Sequence, residues 1–454
     1  MTTNPTTIID SHIHLFPSSE LPSLNWWSPG CALDAQHSMD EYLAATGNPA
    51  ELRGYVFLEA DRRAHVRDES LMGWERRFTP LGREEMGNED EDRTGKEDDM
   101  GKEDGQGQRQ GQGQGQEGWQ DALTELDFIA RVVRDMSRPG EGHGAGHGNM
   151  CVGIVPWAPL PLGVNHHGAS GKGEGEGEGE GKNKCKKGRK LRRGPDLETY
   201  LACVRARCAG YSDAGSSRVV ANGGDGKGYG GGGGGKDVFG RIKGFRYLVQ
   251  DKPAGVLLTD EFIEGVKWLG RKGYAFDLGV DQRQGGIWQL HEAVEMLERV
   301  MAGEEDEEKK TKIVINHLCK PNMRIDPANA MHEPSFLEWR ELIQRMASFP
   351  TTYMKLSGGF AELPPQEIDK PWPVSEIVAH IQPWFDVAMD AFGPSRIMFG
   401  SDWPVCNAGG AGTRHAWKNW RATVALLLEQ RGVTEEEARQ VWSGTAIRAY
   451  GLEL

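Results

Sequence analysis

Eight short runs of β-branched and aromatic residues punctuate this chain, and most of the stretches between them place apolar residues at three- and four-residue spacings. The runs begin at Ile8, Gly54, Val152, Ile242, Tyr274, Lys312, Thr352 and Arg396. No tight-turn hairpin signal joins one run to the next. Strands that alternate with helices in this way pair in parallel, and eight of them close into a (β/α)8 TIM barrel. The expected fold class is therefore α/β. Two helices are marked by capping boxes, Ser38 with Glu41 and Thr434 with Glu437. Two others show a continuous apolar stripe, Leu123, Leu126, Ile129, Ala130 and Val133 in one, Ile287, Leu290, Val294, Leu297 and Val300 in the other.

A length of 454 residues would by itself suggest about three domains. The 62 glycines argue otherwise, because they concentrate in blocks that bury too little to pack. Residues 83–118, 138–150, 165–195, 211–237 and 302–310 are read as disordered insertions within a single barrel domain spanning 1–454. Two of them, 83–118 and 165–195, follow strands and leave from the catalytic face, and the other three precede strands. Gly230 to Gly235 lacks the strand-to-helix context of a phosphate loop. None of the blocks is expected to carry chemistry.

The chain has 53 basic and 67 acidic residues, a formal charge of −14, with acidic runs such as 88–92 and 304–308 that read as solvated. This balance argues against a nucleic-acid partner and for a small-molecule substrate. A basic block over 182–193 reads as a solvated loop, with nuclear import as the alternative. Seven cysteines without C-x-x-C spacing suggest free thiols in a reducing compartment. No long apolar run suits a membrane span, so a cytoplasmic location is expected.

Polar residues collect at the ends of the apolar runs, which is where barrels of this class build active sites. His12, His14, Arg246, Asp277, His317 and Asp402 should converge there. Strand alternation places Asp10, His12 and His14 on one face. Trp26, Tyr247, Asp277 and Lys320 join Arg246 as candidates for substrate contact, and an Arg246–Asp277 ion pair is the structural alternative. His291 falls on an outer helix and is no ligand candidate.

Taken together, residues 10–14 (DSHIH), 243–246 (KGFR), 316–321 (NHLCKP), 355–358 (KLSG) and 396–404 (RIMFGSDWP) resemble the lactonase-like branch of the amidohydrolase-related (amidohydrolase 2) family, in family order and over nearly all of the globular part. The resemblance implies a TIM barrel that hydrolyses a sugar-acid lactone or a dicarboxylate lactone. It also implies a cofactor choice between one divalent metal, zinc foremost, and none. The chain departs from binuclear members of the wider superfamily, with Lys243 early in its fourth strand and Asp277 where they place a histidine. For lactone hydrolysis Asp402 would serve as general base. His12, His14 and His317 would either bind zinc with Asp402 or hydrogen-bond the developing oxyanion, and Arg246 would hold the substrate. The rival readings are a zinc-dependent non-oxidative decarboxylase of the same superfamily and a non-catalytic binding scaffold.

Overall fold

The structure is a computed structural model that describes residues 7–63, 119–164, 196–211 and 237–454. Among the described residues there are eight strands: β1 Ile8–Ile13, β2 Leu52–Leu58, β3 Cys151–Val155, β4 Gly244–Leu248, β5 Ala275–Gly279, β6 Ile313–Ile315, β7 Thr352–Leu356 and β8 Ile397–Phe399. Every neighbouring pair runs parallel, in two sheets ordered β1-β2-β3 and β4 through β8. Bridges Ile154↔Ile242 and Trp157↔Arg246 join the sheets, and Ile13↔Trp403 brings the first strand to the last, closing the expected (β/α)8 barrel.

The principal helices are α1 Met39–Thr46, α2 Gln120–Val133, α3 Leu197–Ala209, α4 Asp260–Arg271, α5 Trp288–Met301, α6 Pro334–Ala347, α7 Val374–Phe392, α8 Ala416–Arg431 and α9 Thr445–Tyr450. Both capping boxes form, Ser38 with Glu41 at α1 and Thr434 with Glu437 ahead of a short helix. No helix among the described residues is long and apolar enough to cross a membrane.

Strand alternation sorts the apolar side chains into two layers. Ile8, Ile13, Phe276, Ile313 and Ile315 face the helices in the larger core. Ile9, Val56, Ala275, Val314 and Met398 form a second cluster with Ala446, Ala449 and Tyr450 of α9, so α9 plugs the N-terminal end of the barrel. Beside that end lies a cavity of about 1130 Å³ lined by Thr7, Leu52, Met150 and Lys243, which puts Lys243 away from the opposite mouth.

β1 does not keep strict alternation. An irregularity in its pairing with β2 falls between Asp10 and Ile13. It corrects the expectation that Asp10 shares a face with His12 and His14, because an inserted residue reverses the phase of a strand. Asp10 instead accepts hydrogen bonds from Tyr42 of α1 (3.0 Å) and Trp417 of α8 (2.9 Å).

Residues 138–150, whose composition suggested an unpacked insertion, form a loop that is largely at the surface but anchored by buried side chains. Glu141 and His143 are both buried, and the Glu141 carboxylate takes the Arg131 guanidinium through Nε at 3.0 Å. A buried arginine requires a counter-charge, and that requirement outweighs the glycine content. Residues 302–310 make a mostly exposed turn. Residues 83–118 and 165–195, the basic block 182–193, and all but Tyr211 and Asp237 of 211–237 lie outside the described residues.

Burial pushes the Glu141 carboxyl up, but Arg131 and the Arg138 amide outweigh it and hold it below the ordinary glutamate range. The stability this contributes is complete above the unfolded glutamate pKa of about 4.3 and is lost as pH falls through the lower folded value. Glu141→Gln is expected to cost about 1–3 kcal/mol at pH 7. Thermal melts of both proteins should converge as the pH is lowered through the carboxylate range, and a gap independent of pH would contradict the assignment.

Candidate active site

The irregularity in β1 turns His12 and His14 toward the barrel axis, where they meet Asp402 from the loop after β8. His12 Nε2 lies 3.2 Å from His14 Nε2, and the two nitrogens lie 3.5 Å and 3.6 Å from Asp402 Oδ1. His317 follows β6, with Nε2 3.8 Å from the same oxygen. All four residues are buried. Two backbone bonds lock the loop of Asp402 to β1: the Asp402 amide donates to His12 O (2.9 Å) and the His14 amide donates to Trp403 O (2.8 Å). Asp402 sits at φ +61, and the Trp403–Pro404 peptide that follows is cis.

His317 opens a run of four non-glycine residues, His317, Leu318, Cys319 and Lys320, all in the left-handed region with φ between +48 and +62. Such a backbone costs roughly 1–2 kcal/mol per residue and persists only where its surroundings fix it. Here Trp339 Nε1 donates to Leu318 O (2.9 Å), the Gln282 amide to Cys319 O (3.0 Å) and the Arg283 amide to Lys320 O (3.2 Å). The His317 ring is held through Nδ1 by Ser357 Oγ at 2.9 Å. Cys319 and Cys406 are buried, and burial pushes both thiols up, as suits space-filling side chains.

Below the histidines lies a polar layer with no solvent exposure. Lys355 Nζ, on β7, donates to Asp277 Oδ1 of β5 (2.6 Å) and approaches His12 Nδ1 (3.3 Å). Tyr450 of α9 donates to Asp277 Oδ2 (2.6 Å). Both oxygens of Asp277, a candidate for substrate contact, thus accept hydrogen bonds from protein groups. The alternative Arg246–Asp277 ion pair does not form: Arg246 Nε faces Glu59 Oε1 at 3.4 Å. Neither Lys355 nor Glu59 could be assigned from sequence, although Lys355 stands inside a quoted motif. Its signal was a lysine in an apolar strand, which must find a counter-charge.

The other candidates divide. Trp26 stands at the rim, its Nε1 donating to Ala60 O (3.0 Å) just beyond Glu59. Lys320 also reaches the rim, bonded to Gln250 Oε1 (2.8 Å) and 3.9 Å from Asp281 Oδ2. Tyr247 is not brought to the site. It faces the helix layer and packs on Phe262 and Trp157, because it alternates with the inward Arg246.

Burial, reinforced by Lys355 and the neighbouring imidazoles, drives the His12 pKa far down, and burial takes His317 to about 3 despite Asp402. Both rings are neutral at physiological pH. Burial alone would raise Asp402, but His317 and His14 outweigh it and keep the carboxyl below the ordinary aspartate range. Burial lowers Lys355 to about 8 against the pull of Asp277.

Among the described residues, His12, His14 and Asp402 form a group able to hold a metal ion. Zinc bonds of about 2.0–2.1 Å in a tetrahedron require ligand–ligand edges of roughly 3.3–3.4 Å, and the three observed edges of 3.2, 3.5 and 3.6 Å fit. His14 Nδ1 also faces Leu58 O (3.1 Å), which places its proton there and leaves the Nε2 lone pair for a ligand.

Gly358 packs against the His317 ring at φ +67, and a Cβ there would stand 2.6 Å from Nδ1. Gly358→Ala is expected to displace the imidazole and lower kcat at least about tenfold while the circular dichroism spectrum stays native. Full turnover by this variant would remove His317 from the working geometry.

Comparison with known proteins shows what the chain is similar to. The family model described as Amidohydrolase matches residues 240–452. The chain is 27% identical over 448 residues to the L-rhamnono-gamma-lactonase of Scheffersomyces stipitis, covering 98% of each protein. It is 31% identical over 218 residues to an L-fucono-1,5-lactonase of Burkholderia multivorans, covering 47% of this chain and 64% of that one. The fold is that of a Burkholderia multivorans amidohydrolase solved with bound HEPES (TM-score 0.53, 19% identity, 98% of this chain and all of that one) and with bound zinc (TM-score 0.51, 19% identity, the same coverage). The closed parallel barrel agrees with these likenesses: the Amidohydrolase family model matches just under half of the chain, and one relative is similar to it over nearly its whole length.

Proposed function

We propose that this protein is a lactonase that opens an uncharged, hydroxylated sugar-acid lactone by attack of a water activated by Asp402. The observation that carries the reading is the approach of three imidazole nitrogens to one buried, ionised carboxylate oxygen within 3.8 Å. The names of its relatives, a rhamnonolactonase and a fuconolactonase, support a sugar-lactone substrate.

Charge at the mouth favours the sugar-acid class over a dicarboxylate. Each cation near the site already faces a carboxylate among the described residues: Arg246 faces Glu59, Lys355 faces Asp277, Lys320 faces Asp281 and Arg283 faces Glu362. A dicarboxylate would bring negative charge to a place where the positive charge is already compensated, at a desolvation cost that nothing repays.

In the first step one proton of water passes to Asp402 as the water oxygen bonds to the lactone carbonyl carbon. The carbonyl electron pair moves onto its oxygen, and a neutral imidazole N–H of His12 or His317 hydrogen-bonds the oxyanion. Collapse of the tetrahedral intermediate breaks the ring C–O bond. Asp402 returns its proton to the departing alkoxide, and the product is an open hydroxy acid that ionises. A divalent ion held by His12, His14 and Asp402, with His317 beside them, would supply Lewis acidity to the carbonyl and acidify the water.

Asp402→Asn should lower lactone turnover by about 10²–10⁴ with the fold intact, read as proton release at constant pH. Unchanged turnover would refute the assignment. The purified protein is expected to hold about one zinc per chain, lost to chelator together with turnover. Full turnover by metal-free protein would leave the imidazoles as hydrogen-bond donors alone.

A further inference from the structure

One inward-facing side chain next to the site is left without any partner. Asn316 directly follows β6 with no solvent exposure, and neither its Oδ1 nor its Nδ2 finds a hydrogen-bond partner among the protein groups described. Its backbone is employed, the amide donating to Leu278 O at 3.0 Å. Its side chain makes no capping bond to the turn that follows, although it stands in the cap position. A buried polar atom without a partner forfeits its hydration with nothing in return, so an idle carboxamide destabilises the free protein.

The residue belongs to a row. β4 and β5 pair Arg246↔Asp277 and Leu248↔Gly279, and a Cβ built on Gly279 would lie 3.6 Å from an Arg246 guanidinium nitrogen and 3.8 Å from Asn316 Nδ2. Gly279 thus adds no side chain of its own beside the two, and the nearest neighbour of that position is Leu248 Cδ1 at 2.9 Å. Arg246 Nε and Glu59 Oε1 also lack a hydrogen bond, facing each other at 3.4 Å in poor alignment. The second Glu59 oxygen is occupied by the Asp61 amide at 2.6 Å.

Two unsatisfied donors, Asn316 Nδ2 and Arg246 Nε, therefore share the barrel interior with two unsatisfied acceptors, Asn316 Oδ1 and Glu59 Oε1. A hydroxyl is both donor and acceptor, and a pair of them answers this set, whereas a carboxylate offers acceptors only. The row is enclosed, as are His12, His317 and Asp402 beside it.

We propose that Asn316, with Arg246 and Glu59, forms a subsite that reads adjacent hydroxyl groups of an uncharged ligand. This rests on the lactonase reading, since the hydroxyls are those of the lactone ring or its side chain. Asn316 is then a specificity-determining residue: a site built to hydrogen-bond a hydroxyl rejects the analogue that lacks it, because its own buried groups stay unpaired.

The test compares L-rhamnono-γ-lactone with γ-butyrolactone, the same ring without hydroxyls, on the wild-type protein, Asn316→Ala and Asn316→Ser. The ratio of kcat/KM between the two lactones should fall at least tenfold in Asn316→Ala and by less in Asn316→Ser. The Tm of the free Asn316→Ala protein should hold or rise, because the idle groups are gone. A lowered Tm with the ratio unchanged would make Asn316 a structural residue and overturn the proposal. Should the wild type open neither lactone, the lactonase reading fails separately. The subsite is then read by thermal shift with the uncharged L-rhamnono-γ-lactone: a shift in the wild type that Asn316→Ala loses supports it, and no shift in either overturns it.

Discussion

The carboxylate of Asp10 is the interaction on which the site's geometry depends. It has no solvent exposure, and it collects the Ser401 amide (2.8 Å), the Tyr42 hydroxyl (3.0 Å) and the Trp417 indole (2.9 Å). One side chain thus binds the first strand to the loop after the last strand and to the helices that flank the seam. A barrel must close where its two ends meet, and here closure also sets Asp402 against His12 and His14. The irregularity that turns Asp10 outward is the one that turns both histidines inward, so the seam and the site are two results of one local distortion.

The rest of the site is held in backbone conformations that L-residues seldom adopt. Asp402 and the four residues from His317 to Lys320 lie in the left-handed region. Each is fixed by bonds from neighbouring elements: β1 for Asp402, and the loop after β5 together with α6 for the turn after β6. Strain of this kind is maintained where it positions something, and what it positions here is the convergence of His317 and Asp402.

Charge inside the barrel is balanced in layers. Tyr450, Asp277 and Lys355 form a closed set under the histidines, which ties the C-terminal helix to the floor of the site. Above them Arg246 and Glu59 balance each other, and the His12 and His317 imidazoles are kept neutral by burial. Low local polarity strengthens every hydrogen bond offered to a reacting carbonyl, and it also makes an unpaired group such as Asn316 costly.

Much of this was legible in the order of residues. Eight apolar runs separated by helical stretches determined a parallel barrel, and the topology of such a barrel placed His12, His14, His317 and Asp402 at one mouth. The limits have specific causes. Alternation could not reveal the irregularity after Asp10, because a bulge depends on the partner strand's register. Nor could it find the Glu59 and Lys355 partnerships, which join side chains 187 and 78 positions apart from Arg246 and Asp277. Composition misread residues 138–150, since glycine content says nothing of a buried arginine waiting for Glu141. The sequence by itself determined which chemical groups reach the site, because strand period and strand ends are local properties. Only the tertiary structure decided which of those groups are already paired and which remain for a ligand, because pairing is settled by distances between strands.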